Sequence, residues 1–195
     1  ECPDNDGHNV DTMDALTLTV PVILAQYAKG ATNEEITDAA LRTVRVTRGV
    51  SRKMNTYCAA FVDLLLSVLS GSANVQDAAE VAGERTMGAG VSIREMVARG
   101  GDDPMVACYI DSGFPAFLYF LSKYGSGDLA TAAIANANAG GENVARGSLL
   151  GAVLGARTSI GADADGGADA WCAEGLIHRK EIDEELNAFA SALFK

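Results

Sequence analysis

Between Gly140 and Ala156 the chain reads GGENVARGSLLGAVLGA, and this stretch restricts the fold more tightly than any other. A glycine pair is followed by Glu142, Asn143 and Arg146, and then Gly147, Gly151 and Gly155 recur at intervals of four. On an α-helix those three glycines share one face. An interior glycine costs about 1 kcal/mol relative to alanine, so the spacing predicts a face kept flat for close approach of another backbone. The apolar run, Ser148 aside, covers only Leu149 to Ala156, far short of the roughly 20 residues a membrane span needs. The expectation is a central, closely packed helix of a soluble protein. Its N-terminus offers unpaired N–H groups to carboxylates or phosphates. The simplest reading of its polar residues is that Glu142 complements the helix dipole and Arg146 pairs with it at i, i+4.

The 195-residue chain is read as one domain, 1–195. Fifteen Lys and Arg against 26 Asp and Glu give a formal charge of −11. That balance argues against nucleic acid and against an anionic membrane as partners. Four widely spaced cysteines, Cys2, Cys58, Cys108 and Cys172, form no CxxC pair, so neither a zinc site nor a thioredoxin motif is expected. Free thiols in an intracellular, reducing compartment are the default reading, with a Cys2–Cys172 bridge as the alternative in an oxidising one. Residues 1–11 read as a polar loop holding His8, Asn9 and Asp11. Its histidine reads as solvated, with a ligand or an acid/base group as the alternatives.

Helical periodicity accounts for the rest. Thr12 to Ala28 reads as one helix kinked at Pro21 and ended by Gly30. A capping box, Thr32 to Glu35, opens a second, with Ile36, Ala39, Ala40, Val44 and Val46 inward and Gly49 closing it. Ser51 starts a third, with Met54, Cys58, Phe61, Leu65, Leu66 and Leu69 in the core. Asn74 to Gly83 and Ile93 to Ala98 are shorter helices. Asp102 and Asp103 read as an acidic turn capping the next segment. Pro115 fits the first turn of an aromatic-rich helix capped by Asp111 or Ser112, and Leu129 to Asn138 is an alanine-rich one. The loop with Asp163, Asp165 and Asp169 lacks the ligand spacing of a calcium loop. Trp171 begins a short helix, and Glu181 to Phe194 forms an amphipathic one with Ile182, Leu186, Phe189, Ala190 and Leu193 inward. The expected fold is all-α, with eight to ten helices.

Preceded by DPMVACYIDSGFPAFLYFLSKYG and an alanine-rich helix, the GGENVARGSLLGAVLGA stretch resembles the C-terminal half of the ADP-ribosylglycohydrolase family. The resemblance implies an orthogonal multi-helix bundle around a magnesium site, cleaving the glycosidic bond of ADP-ribose adducts. The family's signature here is Gly-Gly-Asp-x-Asp-Thr, with two aspartates and the threonine on the metal. Gly140 and Gly141 match it, Glu142 stands for the first aspartate, Val144 for the second and Ala145 for the threonine. Glu142 is then the remaining Mg2+ ligand of a divergent GGEN-x-x-RG branch. The family's N-terminal Gly-Asp and Thr-Asp-Asp-Thr motifs are absent, and Asp11-Thr12-Met13-Asp14 echoes the latter only superficially. The chain therefore looks like the C-terminal portion of a longer protein.

The resemblance implies one of two functions. In the first, the chain is a hydrolase acting on an ADP-ribose-type ligand. Glu142, Asp11 and His8 are then catalytic, Gly140, Gly141, Asn143 and Arg146 bind substrate, and Tyr109 and Phe114 stack on a base or pack in the core. In the second, the chain has kept the fold without the chemistry, as a structural or assembly subunit like the lens crystallins that resemble this family. That reading calls for a protein partner or the missing N-terminal region.

Overall fold

A computed structural model of the chain describes residues 10–49, 51–157 and 175–193. Among these there are nine α-helices and no strand. A short 3-10 turn, Met13–Leu16, leads into α1 (Thr19–Ala28), α2 (Asn33–Thr47), α3 (Arg52–Leu69), α4 (Val75–Met87) and α5 (Ile93–Ala98). Then come α6 (Ile110–Tyr124), α7 (Leu129–Ala139), α8 (Asn143–Arg157) and α9 (Arg179–Leu193).

Helix starts are written locally in the sequence. Thr32 and Glu35 form the reciprocal capping box of α2. Ser51, Asn74, Ser92 and Asp128 each accept a backbone N–H from the first turn of α3, α4, α5 and α7. Such a cap contributes about 1 kcal/mol. α3 and α6 form the centre, packing on one another and on α4 and α8. Their aromatic rings interlock: Phe114 lies 5.2 Å from Tyr57 and 5.5 Å from Phe117, and Phe117 lies 6.2 Å from Phe61. α1 and α2 flank this centre as a hairpin, and the 3-10 turn lies against α8.

Several sequence expectations require correction. The first helix is two elements, and Pro21 sits in the first turn of α1, where its missing N–H has no helical acceptor to lose. α2 ends at Thr47 with the extended Arg48 as its C-cap, within a residue of the expected end, but Val46 faces solvent. α4 runs a turn longer than expected. Pro115 lies inside α6, which starts earlier, with Tyr109 as its N-cap. Asp103 caps nothing: it accepts from Lys123 Nζ and from the Tyr124 hydroxyl, each at 2.6 Å, and so ties the loop to the end of α6. The glycine stripe is not uniformly flat against a neighbour. A Cβ at Gly147 would meet Asn136 Nδ2 at 2.8 Å, whereas one at Gly151 would enter open space. None of the residues of α9 is buried, so Ile182 and Leu186 do not face a core. His8, Cys2, Cys172, Trp171 and the loop aspartates 163, 165 and 169 lie outside the described residues.

Candidate functional site

The geometry of the GGEN stretch is set by a left-handed turn. Gly140 and Gly141 have φ of 69° and 65°, a region that costs a side chain about 1 kcal/mol or more. Gly141 is doubly restricted, because a Cβ there would run into the Val106 carbonyl. The next residue, Glu142, donates its N–H to that same carbonyl at 2.8 Å. Its carboxylate turns back on the helix it introduces, with Oε1 accepting the Ala145 N–H at 3.1 Å. Glu142 is thus the N-cap of α8, half-buried, with its second oxygen free of any hydrogen bond to the described residues.

Beneath the turn lies Arg146, the largest fully buried side chain among the described residues, at 0% exposure. Its Nε donates to Asn136 Oδ1 at 2.5 Å, and its Nη2 to the Asn136 and Gly140 carbonyls at 3.1 and 2.9 Å. Nη1 reaches the Pro104 carbonyl at 3.3 Å. Below, the guanidinium lies over the Phe120 ring, 4.6 Å from its centroid. Burial disfavours its charge, while the carboxylates of Glu142 and Asp103 favour it. Asn136 completes the network by donating from Nδ2 to the Asn143 carbonyl at 2.8 Å. Arg146 therefore does not pair with Glu142 side chain to side chain; it holds three backbone carbonyls in place and so fixes the turn. A planar fork of donors suits this role as an ammonium would not.

The segment 104–109 joins this turn to the start of the described chain. Its Pro104 and Val106 carbonyls hold Arg146 and Glu142. Two residues on, Cys108 O accepts from Met13 N–H at 2.9 Å, and Ile110 N–H donates to Asp11 O at 3.0 Å. An extended chain rises about 3.3 Å per residue, so the two anchor points are at most about 7 Å apart. Asp11 accepts from the Ser51 hydroxyl at 2.8 Å. It lines a cleft of about 470 Å3 with Val10, Gly49, Ser51, Lys53, Tyr109 and Asp111. The Lys53 ammonium beside Asp111 holds that carboxyl below its usual range. One turn of chain further, burial opposes ionisation of Asp14, but the Thr12 hydroxyl and the Arg48 guanidinium outweigh it and lower its pKa.

Of the residues singled out in the sequence, Gly140, Gly141, Glu142, Asn143 and Arg146 form one connected group, with Asp11 at the other end of the 104–109 segment. Tyr109 is exposed in the Asp11 cleft, whereas Phe114 is a core residue at 0% exposure. Asn136 escaped the sequence reading, although a lone pair of asparagines, 136 and 138, in an alanine helix was the available signal. At the positions implied for magnesium, Val144 is 76% exposed and Ala145 is buried, and neither side chain has a donor atom. Among the described residues no three His, Cys, Asp or Glu side chains converge as a metal would need. These residues do not fit a magnesium cage.

No helix of the described residues is long and apolar enough to cross a membrane. No curated protein matches the chain. No solved structure matches it either. The sequence profile of the ADP-ribosylglycohydrolase family does, over residues 2–194. With an all-helical fold and a Gly-Gly turn opening α8, the chain belongs to the ADP-ribosylglycohydrolase family.

Proposed function

We propose that this chain hydrolyses the glycosidic bond of an ADP-ribose adduct or a related nucleoside conjugate, with Glu142 as the carboxylate at the reacting centre. One observation carries this reading: Glu142 is fixed by its backbone to Val106 and by one carboxylate oxygen to Ala145, while the other oxygen has no partner among the described residues. A carboxylate so held takes a proton from water as the water oxygen bonds to the anomeric carbon. The bond from that carbon to the acceptor nitrogen or oxygen breaks, its electron pair leaves with the acceptor, and the acceptor takes a proton from an acid. Asp11 is assigned that role, with His8, which lies outside the described residues, as the alternative. Asn143, whose side-chain amide has no partner among the described residues, binds the ribose hydroxyls. Arg146 acts through the turn it fixes and is a positioning residue.

The test is release of ADP-ribose from ADP-ribosyl-arginine and ADP-ribosyl-serine peptides, followed by mass spectrometry in magnesium and in chelator. Glu142→Gln keeps the N-cap acceptor and loses the base, so kcat should fall about 100-fold or more with little change in KM. Absence of release from either peptide in both buffers would contradict the reading and leave a fold kept without its chemistry.

A further inference from the structure

Away from the α8 N-terminus, two apolar surfaces stand open. On α9, Ile182, Leu186, Phe189 and Leu193 follow one another at intervals of four, three and four, which puts them on one stripe of the helix. Ile182 and Leu186 are 39% and 59% exposed, and no residue of α9 is buried. The second surface is a hollow between α3 and α4. Buried Ala60 and Leu64 of α3 and Ala78 and Ala82 of α4 line it, and Val81, 65% exposed, stands beside them. At about 190 Å3 the hollow is smaller than a small-molecule site, which takes about 300 to 1,000 Å3. It suits apolar side chains of a helix laid along the groove. α9 does not fill the hollow of its own chain, since Val81 and the α9 stripe are both open to solvent.

The charges of α9 match the surroundings of the hollow. Arg85 stands at its rim, paired with Asp63 and half-exposed. Exposed Arg52 lies about three turns before Asp63 on the same side of α3. All the charges of α9 fall between Arg179 and Glu185, acids outnumbering bases, and none falls from Leu186 to Leu193. The uncharged half therefore fits over the alanine-lined hollow, with the acidic half extending past Arg85 towards Arg52. Two α9 helices paired with each other would cover only two apolar faces, and a parallel pair would set acidic half against acidic half. An exchange in which each copy lays α9 in the hollow of the other covers four faces and closes with two-fold symmetry. The larger area favours it, because a stable interface buries about 1,200 Å2 or more.

We propose that the partner of α9 is a second copy of this chain, and that two copies exchange α9, each seating Leu186 and Phe189 in the α3–α4 hollow of the other. The exchange needs nothing from Glu142 and stands apart from the hydrolase reading.

Light scattering coupled to gel filtration, run on the intact chain over a dilution series, measures the association. A pair of twice the monomer mass that dissociates on dilution is expected. Val81→Glu and Leu186→Glu, both at exposed positions, should each place a charge in the apolar contact and weaken pairing by about tenfold or more. Far-UV circular dichroism should show that both variants keep their helix content. A mixture of the two variants retains one complete contact, the α9 of the Val81→Glu copy in the hollow of the Leu186→Glu copy. It should therefore regain pairing that neither variant shows alone. Val81→Glu combined with Leu186→Lys sets opposite charges across each contact and should pair more tightly than either substitution by itself. A chain that is monomeric at every concentration would overturn the proposal, as would a mixture that regains nothing. Pairing lost with Leu186→Glu but indifferent to Val81→Glu would overturn it in favour of α9 packing on α9, and pairing indifferent to both would place the interface on another face.

Discussion

Arg146 shows how far a residue's role lies from its sequence spacing. At i, i+4 from Glu142 it reads as an ordinary surface ion pair, yet it is fully buried and spends its donors on Asn136 and on the carbonyls of Asn136, Gly140 and Pro104. Spacing along a helix does not reveal that the segment 104–109 passes over the same spot. Removing one partner of a buried charged network costs about 3 to 5 kcal/mol. Arg146→Lys keeps the charge and loses the planar fork, so it should fall near that range in denaturant unfolding; a loss below about 1 kcal/mol, the scale of an exposed pair, would contradict the hub. Cys58 offers a second residue-scale prediction. It is fully buried in α3, and burial pushes its thiol up to about 12 from 9.0. Between those values the native chain keeps a proton that the unfolded chain releases, so stability falls as pH rises through the window. At about 1.4 kcal/mol per pH unit, the stability advantage of the parent chain over Cys58→Ala should shrink by about 2 kcal/mol from about pH 8 to about pH 10.5. A difference that stays constant with pH would show that the thiol is not desolvated.

Helix starts with a local determinant were legible: Thr32 with Glu35, Ser51 and the Gly140–Gly141 turn all stand where the sequence puts them, whereas α1 and α6, which have no side-chain cap, start elsewhere than expected. The surface that α8 packs against was not legible, because a glycine stripe records small side chains and not the neighbour that needs them. The two glycines should therefore part company. Gly151→Ala adds a methyl in open space and relieves the helix interior, and should stabilise by about 0.5 to 1 kcal/mol. Gly147→Ala collides with the amide of Asn136, which cannot retreat while it holds Arg146 and Asn143, and should destabilise. Equal effects in thermal unfolding would contradict the packing of α7 on α8. In the same way, the segment 104–109 has no periodic pattern, and its function as a bridge between the turn and Asp11 is a matter of hydrogen bonds to distant carbonyls.

For the molecule as a whole, the all-helical class and the family were readable from periodicity and one motif, while the extent of the site was not. Apolar spacing shows that α9 has an apolar face, but not what covers it, and none of its residues is buried. Charge behaves similarly: the net −11 argues against polyanionic partners, but only the fold shows that Asp103 is paired while Asp102 makes no ion pair with any described residue. The central claim is that the α8 N-terminus is a ligand site of the family's kind, held open by a rigid turn. Thermal unfolding with and without ADP-ribose measures this most directly. Ligand at about 100 times its Kd adds about 2.7 kcal/mol of stability, and at this chain length each kcal/mol moves the midpoint by about 2 to 4 °C. A saturable rise of about 5 to 10 °C, reduced by Gly141→Val, which blocks the turn against Val106, is the predicted result. A midpoint unmoved by ADP-ribose in either magnesium or chelator would contradict the claim.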